Sequence, residues 1–349
     1  MAEPAGSPKP SDGITRLLKW VGAATAVLSL IFGLRTLTNL IMDRRARDQQ
    51  VTELLGTAQL QREAFDYSSA WASLDRAAEI SGDDQRVRTL QEDVAMDWLR
   101  NVRAEGTPPA FTPIVDRVTP SLTRGVLSAT GQRRADLHAW LGWADFLRWR
   151  DGQRQVDPSR RYREAIGEDS LNVFAHTMLA HWQLWTAGSR DEAERHFEAA
   201  LASGRDRVFV REMQLAAYGD RSGAGDDAGL VSLANDIRAA GEPAPDRLRQ
   251  RLWPLYYRCL EREPAMCPSP AIDGEVAPGD HVRTFRWLYA DSLGGDGRVV
   301  LRYSLARLED RAGERDSALA HYRALSPELQ QINPRIAEQL RRSVARLSR

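Results

Sequence analysis

Lysine is nearly missing from this 349-residue chain: Lys9 and Lys19 are the only two, and arginine carries the rest of the positive charge, as the codon usage of a GC-rich bacterium would give. Excess charge of either sign is missing as well. The 48 basic and 48 acidic side chains cancel, so the chain as a whole offers neither a basic face for nucleic acid nor an acidic one for cations. Cysteine is scarce: Cys259 and Cys267, in RCLEREPAMC, form either one loop-closing disulfide in an oxidising compartment or two inert thiols. Histidine is sparse and scattered. His176 and His181 stand five apart, not the four that sets two ligands on one helix face, and HExxH does not occur. Walker loops, GxGxxG, GxSxG and CxxC are missing too. The expectation is therefore no metal, no cofactor, no catalytic residue and no enzyme.

What the chain does have is apolar surface: 42% of its residues are hydrophobic, enough for a sizeable core. Residues 1–13, MAEPAGSPKPSDG, hold almost nothing to bury and read as a disordered tail. Residues 14–42 read as one transmembrane helix. The stretch from Trp20 to Leu34 has no charge, and the apolar run continues past Arg35 to Ile41; that length of helix spans roughly 33 Å, one bilayer crossing, if Arg35 reaches back to a headgroup. Lys19 and Trp20 flank it on one side and Asp43, Arg44, Arg45 and Arg47 on the other. No small-x-small cleavage site follows, so the anchor is expected to be retained in a bacterial inner membrane. Basic residues before and after the span nearly balance; they and the cysteine pair point to a periplasmic body, with the cytoplasmic side left open. Gly22 with Ala26 and Ser29 with Gly33 form two small-xxx-small pairs through which two anchors could dimerise.

Beyond the anchor the apolar residues recur at helical spacing. In VFAHTMLAHWQLWTAGSRDEAERHFEAAL, Val173 to Leu201, a turn at Ala187-Gly188-Ser189 separates two short helices, and Ser189 with Glu192 makes a capping box. Ala193, Phe197 and Ala200 fall on one face of the second helix. Gly313, Ala318 and Tyr322 repeat the spacing of Gly188, Ala193 and Phe197. Leu141-Gly142, Pro158, Tyr162 and Ala165 mark another unit, and Ala70, Leu74 and Ala77 a weaker one. These positions resemble the tetratricopeptide repeat (TPR), and the whole resembles a membrane-anchored bacterial TPR protein.

The resemblance implies an all-α fold: a right-handed α-solenoid of antiparallel helix pairs preceded by the N-terminal transmembrane helix. Its expected segments are degenerate TPR-like helices over 43–104, an irregular linker with short helices over 105–134, and core units over 135–218. A helical region follows over 219–298, with a Pro/Gly-rich insertion at 263–280, and a last unit with its capping helix over 299–349. Carried over by register, the groove positions are Met178, Trp182, Trp185, Tyr303, Arg307 and Arg311, which would hold a peptide or partner protein. The functional expectation is a membrane-tethered interaction scaffold with a protein partner. The alternatives are a chaperone-like periplasmic factor for envelope or secreted proteins and a hydrolase on a helical solenoid, which would need carboxylates converging in one pocket.

Overall fold

The computed structural model describes the backbone of residues 12–106, 109–186, 188–219, 227–258, 276–293, 299–332 and 334–349, and the side chains of the same segments except 12–34, 36, 257–258, 292, 326–332 and 334. Among the described residues there are fifteen helices and no strand beyond one isolated bridge, Glu105 with Ala110. The chain divides into two compact units, residues 1–129 and 130–349.

The first unit holds α1 (Asp12–Glu63), α2 (Tyr67–Ile80), α3 (Gln85–Arg100) and α4 (Thr112–Ser128). Helix α1 runs on without a break for 52 residues, so the expected boundary at residue 43 is not a helix end. Among the described residues no helix is long and apolar enough to cross a membrane. The side chains of Trp20 to Leu34, and with them Gly22, Ala26, Ser29 and Gly33, lie outside the described residues. The described end of the apolar run is bare: Leu37, Leu40, Ile41 and Met42 are all exposed.

A turn at Phe65 and Asp66 separates α1 from α2. Phe65 takes a left-handed φ of 61°, and Asp66 caps α2 by accepting from the Ser69 N–H at 3.1 Å. Ala70, Leu74 and Ala77 are then fully buried, and Val51, Ala77 and Val87 close a small core between α1, α2 and α3. The expected linker with short helices over 105–134 holds one helix of 17 residues and the start of the next. Helix α4 starts at Thr112 with proline in its first turn and continues through Pro120. Proline at the helix start removes an N–H that has no intrahelical acceptor anyway. The bond lost at Pro120 is outweighed by burying Ile114, Val115, Val118 and Leu122 on one stripe.

The second unit runs through α5 (Gly131–Arg150), α6 (Ser159–Glu168), α7 (Val173–Trp185), α8 (Arg190–Ala202), α9 (Arg207–Gly219), α10 (Asp227–Ala239) and α11 (Asp246–Arg258). It ends with α12 (Pro278–Leu293), α13 (Val299–Arg311), α14 (Arg315–Ile332) and α15 (Pro334–Leu347). Each helix of the run α5 to α9 packs on the next, and α5, α7 and α9 also touch in series. Gly188 lies between α7 and α8, its N–H on the Gln183 carbonyl at 2.7 Å, and Ser189 caps α8 through the Glu192 N–H. Gly313 turns α13 into α14 at a φ of 79°, a conformation that favours glycine.

Small residues let the pairs close. A Cβ on Gly142 would come within 2.5 Å of the Tyr162 ring, so α5 and α6 touch where only a hydrogen fits. Ala193, Phe197 and Ala200 are buried in the next pair, and Ala318 and Tyr322 in the last, where they share a core with Val299, Tyr303 and Leu340. The insertion at 263–280, with Cys259 and Cys267, falls almost wholly outside the described residues.

Candidate docking surface

Helix α7 explains why the groove positions divide. It packs against α5, α6, α8 and α9, so most of its faces are inside. Met178 is 1% exposed and cannot line an open groove. In the last unit Tyr303 is 2% exposed, 5.9 Å from the Tyr322 ring, on the inner stripe that it shares with Val299 and Ala306. Arg307 is 6% exposed and lies over Tyr303 at 5.9 Å. For these three the structure corrects the expectation: the register carried over from the repeat lands on packed faces, because helices on both sides cover what an open array would leave bare. Arg311 is half-buried.

Trp182 and Trp185, also half-buried, fare differently. They end α7 beside the C-terminal half of α5, whose Trp143, Phe146 and Trp149 follow at steps of three along one face. Phe146 sits at the centre, edge-on to Trp182 at 6.2 Å and to Trp185 at 5.8 Å. Trp143 leans on Phe146 at 4.7 Å, and Trp149 meets Trp182 edge to face at 5.1 Å. Such tilted and edge-on geometries suit the ring quadrupoles. Two guanidinium groups cover the rings: Arg154 stands 3.7 Å over Trp149, and Arg150 5.5 Å over Trp185. Phe146 is fully buried while all four tryptophans keep part of their surface open. The stripe was present in ADLHAWLGWADFLRWR; what sequence reading lacked was that it continues onto α7.

Beneath the rings lies His181, stacked on Trp185 at 5.7 Å and 4% exposed. Its Nδ1 has no hydrogen-bond partner among the described residues. Burial, with Arg150 adding to it, pushes the His181 imidazole down to about 4, so it is neutral at pH 7 and packs as another ring.

His176, His196 and His321 tie helices together. His176 Nδ1 faces His196 Nδ1 at 2.8 Å across α7 and α8, while His176 Nε2 lies 3.0 Å from the Ser170 carbonyl. A carbonyl only accepts, so Nε2 of His176 donates to it, its Nδ1 accepts, and His196 supplies the proton between the rings. Burial is the main cause that lowers the pKa of His196, and His176 adds to it. His321 approaches the fully buried Glu309 at 2.7 Å, with Arg286 on the same carboxylate at 2.6 Å. No group of three or more His, Cys, Asp or Glu among the described residues is placed to hold a metal ion.

The described residues define the class as an all-α protein in which helices of each unit pack largely on their neighbours in the chain. No protein-family model matches the chain, and no curated protein matches it.

Proposed function

We propose that this chain is a membrane-tethered scaffold on which TPR-like helix pairs, stacked as a right-handed solenoid, hold a protein partner. The observation that carries the reading is the cluster of Trp143, Trp149, Trp182 and Trp185, four large rings whose inner faces are packed and whose outer edges stay open. Tryptophan and arginine are the residue types that dominate interface energetics, because they supply rigid area at small entropic cost. The cluster is pre-organised around Phe146, so little ordering remains to oppose binding.

Support for the tether comes from Leu37, Leu40, Ile41 and Met42, which point outward on several sides of α1 with no core to face. Large apolar side chains exposed together on one helix suit lipid better than water. Arg44, Arg45 and Arg47 follow it as interfacial charges would. A pair of such anchors could meet through Gly22, Ala26, Ser29 and Gly33. The periplasmic placement of the body rests on the basic residues that flank the span together with the pair Cys259 and Cys267.

The test is capture of partners from source-cell membranes by full-length protein and by the Trp182→Ala/Trp185→Ala variant. Loss of at least tenfold of a captured protein, at unchanged helicity and melting temperature, supports docking at the cluster. Equal capture by both proteins rejects it. A reporter fused after Arg349 reads the side of the membrane, and extraction by carbonate alone would reject the tether.

A further inference from the structure

A concave site away from the tryptophans opens between α8, α9 and α10 and encloses about 260 Å3. Its walls follow from helical spacing. Glu194, Glu198 and Leu201 share one face of α8, Arg211, Gln214 and Tyr218 one face of α9, and Leu233 with Asp236 complete it from α10.

The charges in the cleft do not cancel. Arg211 is spent elsewhere: its guanidinium donates to Glu242 at 3.0 and 3.1 Å and to Gln214 Oε1 at 2.9 Å. Glu194 pairs with Arg190 at 2.7 Å. Glu198 and Asp236 have no such cation among the described residues. The desolvating walls raise the Asp236 carboxyl above its usual range, with Arg211 opposing and Glu194 and Glu198 adding to the rise. The floor is different in character, because Leu233 is 2% exposed and Tyr218 5%. Gln214, 7% exposed, lines the cleft and uses its Oε1 on Arg211, and its amide N–H groups have no hydrogen bond to an acceptor among the described residues.

We propose that this cleft receives an arginine side chain of a partner protein, its guanidinium between Glu198 and Asp236 and its methylene stem along Leu201 and Leu233. Carboxylates on two different helices suit a planar fork of donors better than the compact charge of an ammonium group. The apolar floor suits a stem that buries its methylenes while its head is paired. The Gln214 amide then has an acceptor in the backbone carbonyl of the same peptide. The proposal rests on the docking reading for its partner, but its chemistry is separate from the tryptophan cluster.

The test uses full-length protein carrying labelled Leu and Val methyl groups, titrated with the capped tripeptides Ac-Gly-Arg-Gly-NH2, Ac-Gly-Cit-Gly-NH2 and Ac-Gly-Lys-Gly-NH2. The arginine peptide should shift the Leu201 and Leu233 methyl signals saturably. Citrulline, its neutral isostere, should not, and lysine should bind at least threefold more weakly. Glu198→Gln/Asp236→Asn should lose tenfold or more in affinity with its remaining spectrum unchanged, and each single variant should lose part of that. Equal shifts from the citrulline peptide, or an unchanged titration in the double variant, overturn the proposal; equal affinity for lysine overturns the guanidinium. Failure here with partner capture still dependent on Trp182 and Trp185 removes the cleft alone. Arginine binding in a protein whose capture ignores those tryptophans removes the cluster alone.

Discussion

Asn172 donates from its side-chain amide to Asp136 Oδ1 at 2.6 Å while its own Oδ1 accepts the Ala175 N–H at 2.9 Å. One fully buried residue therefore caps α7 and fastens it to α5. Arg205, from the turn after α8, reaches the other Asp136 oxygen at 3.4 Å. Burial raises the Asp136 carboxyl above its usual range, and the Asn172 and Arg205 contacts pull it back.

Asn172→Ala should destabilise the second unit by about 2 to 3 kcal/mol, since it removes a helix cap and leaves a buried carboxylate one donor short. Asn172→Asp keeps the cap but sets two carboxylates together, so it should be worse at pH 7 than at pH 5. Urea unfolding at both pH values measures this. An alanine variant as stable as the parent would show that Asp136 finds another donor.

Gly142 and Tyr162 give a pair of opposite predictions. Gly142→Ala drives a methyl group into a fully buried ring and should cost about 1 to 3 kcal/mol. Tyr162→Phe removes a hydroxyl that has no partner among the described residues, so it should be neutral or stabilise by up to about 1 kcal/mol. Thermal melts of both variants decide it, and a strongly destabilised Tyr162→Phe would mean that the hydroxyl is hydrogen-bonded.

His181 makes the second unit acid-sensitive. Its folded pKa of about 4 lies below the unfolded value, so the folded state binds the proton less well. Stability is full above pH 6.5 and falls as pH drops toward 4, by about 3 kcal/mol from this group at full extent. His181→Leu should flatten that slope, because the packed ring is replaced by a group that cannot ionise. Parallel slopes between pH 7 and 4.5 in parent and variant would exclude His181 as the cause. His196 is lowered in the same direction and leaves a smaller residual slope.

Trp182→Ala/Trp185→Ala removes rings that are only partly buried, so the folded state should lose less than the roughly 3 to 5 kcal/mol that each fully buried tryptophan would cost. Calorimetry checks it: a melting temperature lower by more than about 10 °C would show that these rings serve the core rather than a partner.

Helix pairing was legible because it is local. Gly313 needs a turn, Ser189 needs a helix to cap, and Ala193, Phe197 and Ala200 share a face whatever the rest of the chain does. Helix α4 was half legible: short helices were expected in the linker, but Pro113 reads as a breaker until the burial of Ile114, Val118 and Leu122 is known. The candidate site was half legible: the α5 and α7 tryptophans stood in the sequence, but not that Phe146 joins them.

By itself, then, the sequence determined the helices, their turns and the small residues at which they cross, because those depend on neighbours within a few positions. Only the tertiary structure decided which faces are covered. It buried Met178, Tyr303 and Arg307, left Trp182 and Trp185 partly open, and brought Glu198 and Asp236 to one cleft from the two helices on either side of α9 in the chain. The physical reason is that periodicity places a residue on a stripe, whereas burial depends on what packs against that stripe, and in this chain α7 has a neighbour on nearly every side.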